Sequence, residues 1–207
     1  MTTRKHLPVY QLTLGALYIA IFALAGNMPF LSLYLIPNVP ITLQTFLIAM
    51  MGLTLGFRGG MVTYISLLLL TLCGLPMMSG GKGGPAALFG PTGGYIIGWV
   101  FLILLLGLYS TLYIDRLVNK KVLGISIHLP VSFVLGMTGI LLDYICGTLG
   151  LIVFYAEKSM ADFAKVFAVN SAFLLGDAVK IGLASLFSLL LFAKPALRRL
   201  FNIKTVG

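Results

Sequence analysis

Long apolar stretches, separated by short segments rich in glycine, proline or charge, form the main pattern of this chain. Six stretches can be delimited, at about residues 9–28, 41–57, 61–76, 93–114, 128–154 and 170–193. Several approach the roughly 20 residues that an α-helix needs to cross a bilayer. The second and third are shorter, and their limits are marked by Pro40, Gly59, Gly60 and Pro76. The pattern predicts an all-α fold with six transmembrane helices in one domain, residues 1–207.

Composition favours a polytopic membrane protein over a nucleic-acid-binding protein. The chain is 59% hydrophobic and 9% charged, and its mean hydropathy is +1.07. Its formal net charge of +9 would suggest nucleic acid if the basic residues formed one soluble patch. They lie instead in short loops and tails, where membrane topology explains them better. We therefore expect membrane lipid around the protein and no nucleic acid partner.

The distribution of Lys and Arg predicts that both termini are cytoplasmic, because cytoplasmic loops carry the excess of positive charge. Ten fall on the side of the termini: Arg4, Lys5, Arg58, Arg116, Lys120, Lys121, Lys194, Arg198, Arg199 and Lys204. Three fall on the other side: Lys82, Lys158 and Lys165. A cleavable secretory signal is the competing interpretation of the first span, which ends in Ala-Leu-Ala at 23–25. Its removal would leave five spans and invert the charge pattern, so we favour a retained span.

The predicted third loop, residues 76–95, reads PMMSGGKGGPAALFGPTGGY and contains seven glycines and three prolines. Such a segment cannot form an uninterrupted helix. A phosphate-binding loop is excluded because glycine, rather than Ser or Thr, follows Lys82 and no strand precedes it. This Gly/Pro-rich loop is extracellular in the predicted topology. We interpret it as a compact lid or re-entrant segment close to a ligand, with a flexible connector as the alternative.

The predicted first external loop, residues 27–45, contains no charged residue and is too apolar for a solvated linker. It ends with Thr42, Gln44 and Thr45 at the outer end of the second span. Polar groups without a neighbouring charge suit an uncharged, hydrogen-bonding ligand. A plain turn with a helix-capping threonine is the alternative.

Two charged residues, Asp177 and Lys180, lie within the sixth predicted span. Residues three apart share one helix face, so both can point into one cavity. Each charge at a helix centre costs about 2.5–3.5 kcal/mol, which favours a ligand site over a purely structural ion pair. Asp143, beside Tyr144 in the fifth span, adds a second carboxylate. Two carboxylates and one lysine would also suit the proton relay of a proton-coupled carrier.

Catalytic and metal-binding patterns are not evident in the sequence. No Ser–His, Cys–His or metal-ligand cluster can be recognised, and His6 and His128 are far apart. Cys73 and Cys146 lie in apolar stretches and are interpreted as small hydrophobic residues rather than as a disulfide. The sequence also lacks the GxxxxGK[ST] motif of ATP-binding loops. We expect neither an enzyme nor a bound metal or cofactor.

Five motifs resemble, in order and spacing, the BioY family of biotin-specific substrate-binding (S) components of energy-coupling factor (ECF) transporters. They are VPITLQT (39–45), GGKGG (80–84), FGPTGGYIIGW (89–99), DYICGTL (143–149) and GDAVK (176–180). The resemblance covers about residues 10–195 and implies six helices, cytoplasmic termini and biotin bound beneath the external loops. It also implies the plasma membrane of a prokaryote. One departure is Gly150, where many members carry Trp, so the pocket wall is expected to be altered or filled by Tyr144 or Phe154.

The resemblance implies a role for individual side chains as well. The implied ligand-binding residues are Thr42, Gln44, Lys82, Phe89, Tyr95, Asp143, Tyr144, Asp177 and Lys180. Asp177 would accept hydrogen bonds from the ureido N–H groups of biotin, and Gln44 and Thr42 would serve its carbonyl. Lys82 or Lys180 would meet the carboxylate, although Lys180 could instead keep Asp177 ionised.

Partner subunits are implied for an S component, because this chain has no ATP site of its own. In the family, a membrane-embedded coupling subunit and two cytoplasmic ATPases complete the transporter. Ala16 and Ala20 in the first span resemble the surface that docks on the coupling subunit, since small residues four apart permit close helix approach. The alternatives are unaided uptake, another small vitamin as ligand, a proton-coupled carrier and a structural membrane protein.

Overall fold

The structure is a computed structural model, and it describes residues 9–28, 33–36, 39–119, 121–154 and 163–193. Long helices dominate it. In chain order the elements are α1 (Val9–Asn27), β1 (Leu33–Ile36), β2 (Val39–Ile41), α2 (Gln44–Leu72), α3 (Pro85–Leu88), α4 (Gly93–Asn119), α5 (Lys121–Phe154), α6 (Phe163–Ala168) and α7 (Ser171–Ala193). Within these residues, five helices are long and apolar enough to cross a membrane: α1, α2, α4, α5 and α7.

The predicted second and third spans both fall within α2, which is sharply bent. Gly56 interrupts this helix with a φ of 69° and a ψ of −175°, a conformation that favours glycine. A Cβ atom on Gly60 would lie 3.4 Å from the carbonyl oxygen of Met51, whereas nine residues of straight helix would span about 13.5 Å. The two arms, residues 44–55 and 57–72, therefore fold back on each other. The predicted second and third helices, divided at 58–60, correspond to these two arms, which meet at Gly56.

A short β-hairpin occupies part of the predicted first external loop. Leu33 pairs with Ile41, and Tyr34 with Pro40, in an antiparallel arrangement. Branched residues such as Ile36 favour strands, but the segment is too short for its alternation to have been recognised. The predicted all-α class is confirmed for the helices that dominate the fold, and a two-stranded sheet that was not predicted accompanies them.

Glycines allow α4 and α5 to approach each other closely. A Cβ atom on Gly150 would lie 2.7 Å from the Cα atom of Gly94. Farther along the pair, a Cβ atom on Gly139 would lie 3.0 Å from Cδ2 of Leu102. Helix association in a bilayer depends on such packing, because lipid tails are as apolar as the helix surfaces. This contact fixes the relative position of two helices that both contribute to the site described below.

The Gly/Pro-rich loop is compact and is attached to the end of α1. The backbone N–H of Gly80 donates to the carbonyl oxygen of Gly26 at 2.9 Å. The side-chain amide of Asn27 donates to the carbonyl oxygen of Pro76 at 2.6 Å. These bonds agree with the interpretation as a compact segment rather than a flexible connector.

Several residues on which the predicted sidedness depends lie outside the described residues. They are Arg4, Lys5, Lys120, Lys158, Lys194, Arg198, Arg199 and Lys204. His6 lies outside them as well. The orientation of the protein in the membrane therefore stays a prediction at this point.

Candidate functional site

A cavity lies between α2, α4, α5, α7 and the Gly/Pro-rich loop. Its empty volume is about 760 Å³, part of which is open to solvent, and its wall combines apolar side chains with a few polar groups, as small-molecule sites do. The lining residues are Thr42, Gln44, Thr45, Met78, Ser79, Lys82, Ala87, Thr92, Tyr95, Ile96, Trp99, Asp143, Tyr144, Phe173, Asp177 and Lys180. Eight of the nine predicted ligand-binding residues are in this set, and Phe89 is not.

Asp177 is held by two hydrogen bonds, one to each carboxylate oxygen. Lys180 Nζ lies 2.8 Å from Oδ1, and the hydroxyl of Tyr144 donates to Oδ2 at 2.7 Å. Asp177 and Lys180 are only 6% and 9% exposed, so water screens their attraction little. Each carboxylate oxygen has further lone-pair capacity. The pair is therefore held in place and can still accept a donor from a ligand.

One carboxylate oxygen of Asp143 is buried at the wall of the cavity. The residue is 4% exposed, and its Oδ1 makes no hydrogen bond within the described residues. A Cβ atom on Gly98 would lie 2.3 Å from this oxygen, so only glycine there leaves room for the carboxyl group. A buried polar atom left unsatisfied costs about 1–3 kcal/mol. Such an atom at the wall of a cavity indicates a place for a ligand donor.

The start of α2 supplies polar groups that also contact the Gly/Pro-rich loop. Gln44 is 2% exposed, and its Nε2 donates to the carbonyl oxygen of Met77 at 3.0 Å. Thr42 Oγ1 donates to Gln44 Oε1 at 3.2 Å. One N–H of the Gln44 amide remains beyond these two bonds. This residue therefore ties the loop to α2 and retains a donor for a ligand carbonyl.

Lys82 is the second cation at the cavity, and the loop backbone determines where it lies. Met78 N–H donates to the Lys82 carbonyl oxygen at 3.0 Å, which closes a tight turn. Gly80 and Gly81 within that turn have φ values of 75° and 69°, which glycine adopts without strain. Lys82 is exposed and lines the cavity. A cation at this open edge can meet an anionic group at one end of a ligand.

The apolar wall of the cavity includes aromatic side chains from α4 and α7. Tyr95 and Trp99 lie one turn apart on α4, and Phe173 lies on α7. The ring of Trp99 packs edge-to-face on Phe22 of α1, with centroids 5.6 Å apart. Sequence reasoning missed Trp99, Ile96 and Phe173. The spacing of Trp99 from Tyr95 could have revealed it, because residues four apart share a helix face.

Four residues discussed from the sequence do not reach the cavity. Phe89 follows α3 and is 74% exposed, so the structure does not place it against a ligand. Phe154 is 46% exposed and does not replace a missing pocket wall, whereas Tyr144 does line the cavity. Ala16 and Ala20 are both exposed on α1, where another helix could approach them.

A Trp at position 150 would not fit this chain, which explains the departure noted in the sequence. A Cβ atom on Gly150 would lie 2.7 Å from the Cα atom of Gly94. A larger side chain would have to separate α4 from α5. Close helix packing has thus taken the place of a side chain there.

A sequence profile of the BioY family matches residues 1–197. This chain belongs to the BioY family. The match covers all five motifs from which the resemblance was predicted, and that prediction is confirmed.

Individual relatives agree with the BioY assignment. The chain is 38% identical to the biotin transporter BioY of Rhizobium etli over 179 residues, which are 85% of this chain and 89% of that protein. It is 29% identical to the biotin transporter BioY of Rhodobacter capsulatus over 176 residues, 83% of this chain and 87% of that protein. A crystal structure of the S-component for biotin from an ECF-type ABC transporter superposes with a TM-score of 0.77 at 28% identity, covering 97% of this chain and 99% of that one.

Proposed function

We propose that this protein binds biotin as the S component of an ECF-type transporter. The observation that carries the proposal is one cavity, in a BioY-family chain, that contains the Asp177–Lys180 pair and Asp143 Oδ1, which has no partner within the described residues. Biotin offers a ureido ring with two N–H donors and one carbonyl, an apolar ring and chain, and a terminal carboxylate. The cavity has acceptors, an apolar wall and a second cation for these groups.

The two carboxylates are assigned to the two ureido N–H groups. Asp143 Oδ1 has no partner within the described residues, and Asp177 can accept one more bond than it makes with Tyr144 and Lys180. The remaining N–H of Gln44 serves the ureido carbonyl, because the single hydroxyl hydrogen of Thr42 is donated to Gln44 Oε1. A site of this kind discriminates against analogues that lack these groups, because its buried partners are then left unpaired.

The carboxylate of biotin is assigned to Lys82. Lys180 is already engaged with Asp177 at 2.8 Å, whereas Lys82 lies at the exposed edge of the cavity. The apolar ring and valerate chain then lie along Tyr95, Trp99 and Tyr144. In this arrangement the charged end of biotin is the part nearest to the loop.

Six membrane crossings with cytoplasmic termini are part of the proposal. Each arm of α2 counts as one crossing. The start and the end of α2 lie close together, since Gln44 at its start bonds to the carbonyl of Met77 just beyond its end. The charge distribution places the termini in the cytoplasm. The cavity, next to the Gly/Pro-rich loop, then opens toward the outside of the plasma membrane of a prokaryote.

The partners of the proposed S component are a membrane-embedded coupling subunit and two ATPases, which supply the energy that this chain does not. Ala16 and Ala20 are proposed as part of the docking face, because both are small and exposed on α1. Close approach of a second helix is possible there. Biotin is captured from the outside and delivered once the complex is assembled.

Biotin binding to the purified protein in detergent, measured by isothermal titration calorimetry, tests this function. We expect tight binding by the wild type and a large loss with Asp177→Ala. Ser66→Ala is the matched control, because within the described part of the chain Ser66 bonds only to the carbonyl of Val62 in its own helix and does not line the cavity. The control should bind as the wild type does.

Two results would count against this assignment. A folded wild type that ignores biotin would rule out biotin as the ligand, and competition with other vitamins would then identify the alternative. Uptake in cells that collapses with the proton gradient but survives ATP depletion would favour a proton-coupled carrier.

A further inference from the structure

Away from the cavity, a buried histidine joins three helices. His128 on α5 is 1% exposed. Its Nδ1 lies 3.0 Å from the hydroxyl of Tyr109 on α4, and its Nε2 lies 2.9 Å from Oγ of Ser188 on α7. We name these three residues the distal tie. None of them lines the cavity, yet an ionisable residue inside a membrane span is rare and is by default a sign of function.

The hydrogen bonds of the distal tie have one direction. Ser188 Oγ donates to the carbonyl oxygen of Ser185 at 2.9 Å. A hydroxyl has a single hydrogen, so with that hydrogen on Ser185 we assign Ser188 as the acceptor from the Nε2–H of His128. Nδ1 of the neutral imidazole is then an acceptor, and Tyr109 donates to it. The chain of donors runs from α4 through α5 to α7, and it requires the Nε2–H tautomer.

Among the described residues, the distal tie is one of three levels at which polar bonds join α5 to the α7 region. The pairs are Thr148 with Asn170 at 3.0 Å, Tyr144 with Asp177 at 2.7 Å, and His128 with Ser188 at 2.9 Å. From the first pair to the third, the residue number decreases on the α5 side and increases on the α7 side, as expected for antiparallel helices. The middle pair belongs to the ligand site, and the other two lie on either side of it.

These bonds have a clear physical use in a bilayer. Apolar side chains constrain the rotation of a membrane helix only weakly, because lipid solvates them as well as a neighbouring helix does. A slip of α7 by one residue would turn its side chains by about 100° and move Asp177 and Lys180 away from the cavity. Ser188 lies about 16 Å along α7 from Asp177. Its hydrogen bond to His128 can therefore persist while side chains at the ligand site move.

We propose that His128 is a positioning residue for ligand binding. Through Ser188 it fixes the rotation and register of α7, and it thereby holds Asp177 and Lys180 toward the cavity before the ligand arrives. Preorganisation of this kind raises affinity, because less ordering remains for the binding step. The inference rests on the proposed function, since biotin is taken as the ligand.

Four variants test this role. Ser188→Ala removes the acceptor, His128→Leu removes the whole connection, and His128→Gln supplies an amide that can accept from Tyr109 and donate to Ser188. Ser66→Ala is the matched control, since it removes a serine hydroxyl that bonds within its own helix. We expect biotin affinity to fall about threefold to tenfold in Ser188→Ala and His128→Leu, the range that one interhelical hydrogen bond in a membrane can supply.

The accompanying readouts separate positioning from mere folding. His128→Gln should bind biotin with most of the wild-type affinity. The double variant Ser188→Ala/His128→Leu should have about the same affinity as the single variant that binds more weakly, because both changes break the same connection. Imidazole ¹⁵N NMR of the ligand-free wild type should show a protonated Nε2 and an unprotonated Nδ1. Circular dichroism checks that each variant is folded.

Three results would overturn the proposal. They are wild-type affinity in folded Ser188→Ala and His128→Leu, a His128→Gln variant no better than His128→Leu, and an Nδ1–H tautomer. If the wild type itself does not bind biotin, the proposed function fails. The NMR result still tests the tautomer that the distal tie requires, so the two failures can be told apart.

Discussion

Lys180 Nζ lies 2.8 Å from Oδ1 of Asp177, one helical turn earlier on α7. Both side chains are buried, so each provides the counter-charge that the other lacks in its apolar surroundings. Removing one member leaves an uncompensated charge, whereas removing both does not. This relationship allows the stability of the fold and the binding of a ligand to be measured separately.

Lys180→Met should destabilise the protein, and a second change should restore stability without restoring function. The single variant leaves Asp177 charged and without its cation, which costs about 3–5 kcal/mol of unfolding free energy. In Asp177→Asn/Lys180→Met no charge remains, so most of that loss should be regained. Biotin binding should stay weak in the double variant, because the ionised carboxylate is replaced by a neutral amide whose single oxygen is a weaker acceptor. Thermal unfolding in detergent, followed by Trp99 fluorescence, and calorimetric titration provide the two measurements.

The double variant decides this prediction. If it is no more stable than Lys180→Met, the two side chains do not act as a pair. If it binds biotin tightly, the ionised carboxylate is not a ligand acceptor.

Lys82→Met should weaken the binding of biotin but not that of biotin methyl ester. In the proposed arrangement Lys82 meets only the carboxylate, and the ester carries no charge there. A hydrogen bond to a charged group contributes about 1.5–3 kcal/mol, so we expect about a tenfold to hundredfold loss for biotin. Calorimetric titrations of wild type and variant with both ligands make the comparison. An equal loss for both ligands would mean that Lys82 acts through the loop instead.

Much of the fold could be predicted because apolar stretches of membrane length report helices directly. The stretch around Asp177 is an example, since α7 begins at Ser171 and ends at Ala193, close to the predicted limits. The bend at Gly56 could not be located in the same way. The segment around it contains several glycines, and the conformation of each depends on contacts with residues far away in the sequence.

The candidate site could be predicted for a related reason. Charged and amide groups such as Asp143 and Gln44 are costly to bury, so their presence in apolar segments already indicates a cavity. Apolar wall residues give no such signal, and Trp99 is therefore among those missed. Phe89 shows the opposite error, because it was predicted to bind the ligand but does not line the cavity. Being aromatic and part of a family motif does not place a side chain inside the pocket.

Asn27→Ala should speed the release of biotin. Asn27 Nδ2 donates to the Pro76 carbonyl at 2.6 Å, and this bond attaches the Gly/Pro-rich loop to α1. Without it the loop should open more often, which raises the dissociation rate about threefold to tenfold for a bond of ordinary strength. Stopped-flow displacement of a fluorescent biotin derivative measures that rate. Gln11→Ala is the control, because Gln11 bonds α1 to the Leu55 carbonyl, away from the loop. Equal rates in both variants would argue against a lid.

Gly98→Ala should disrupt the site through backbone packing. A Cβ atom there would lie 2.3 Å from Asp143 Oδ1 and 2.9 Å from the Asp143 Cα atom. The contact with Oδ1 can be relieved by turning the Asp143 side chain, but the contact with the backbone Cα atom requires that α4 move away from α5. Overpacking of this kind typically costs about 1–3 kcal/mol, and it also displaces the unpaired oxygen that we assign to a ureido N–H.

The matched control for this change is Gly182→Ala on α7, where the nearest atom would be 3.9 Å from the new Cβ atom. The control should fold and bind biotin as the wild type does, and helix propensity should make it slightly more stable. Thermal unfolding and calorimetric titration should show losses of both stability and affinity in Gly98→Ala. Normal affinity there would mean that Asp143 can move without consequence, and its assignment to the ureido ring would then be wrong.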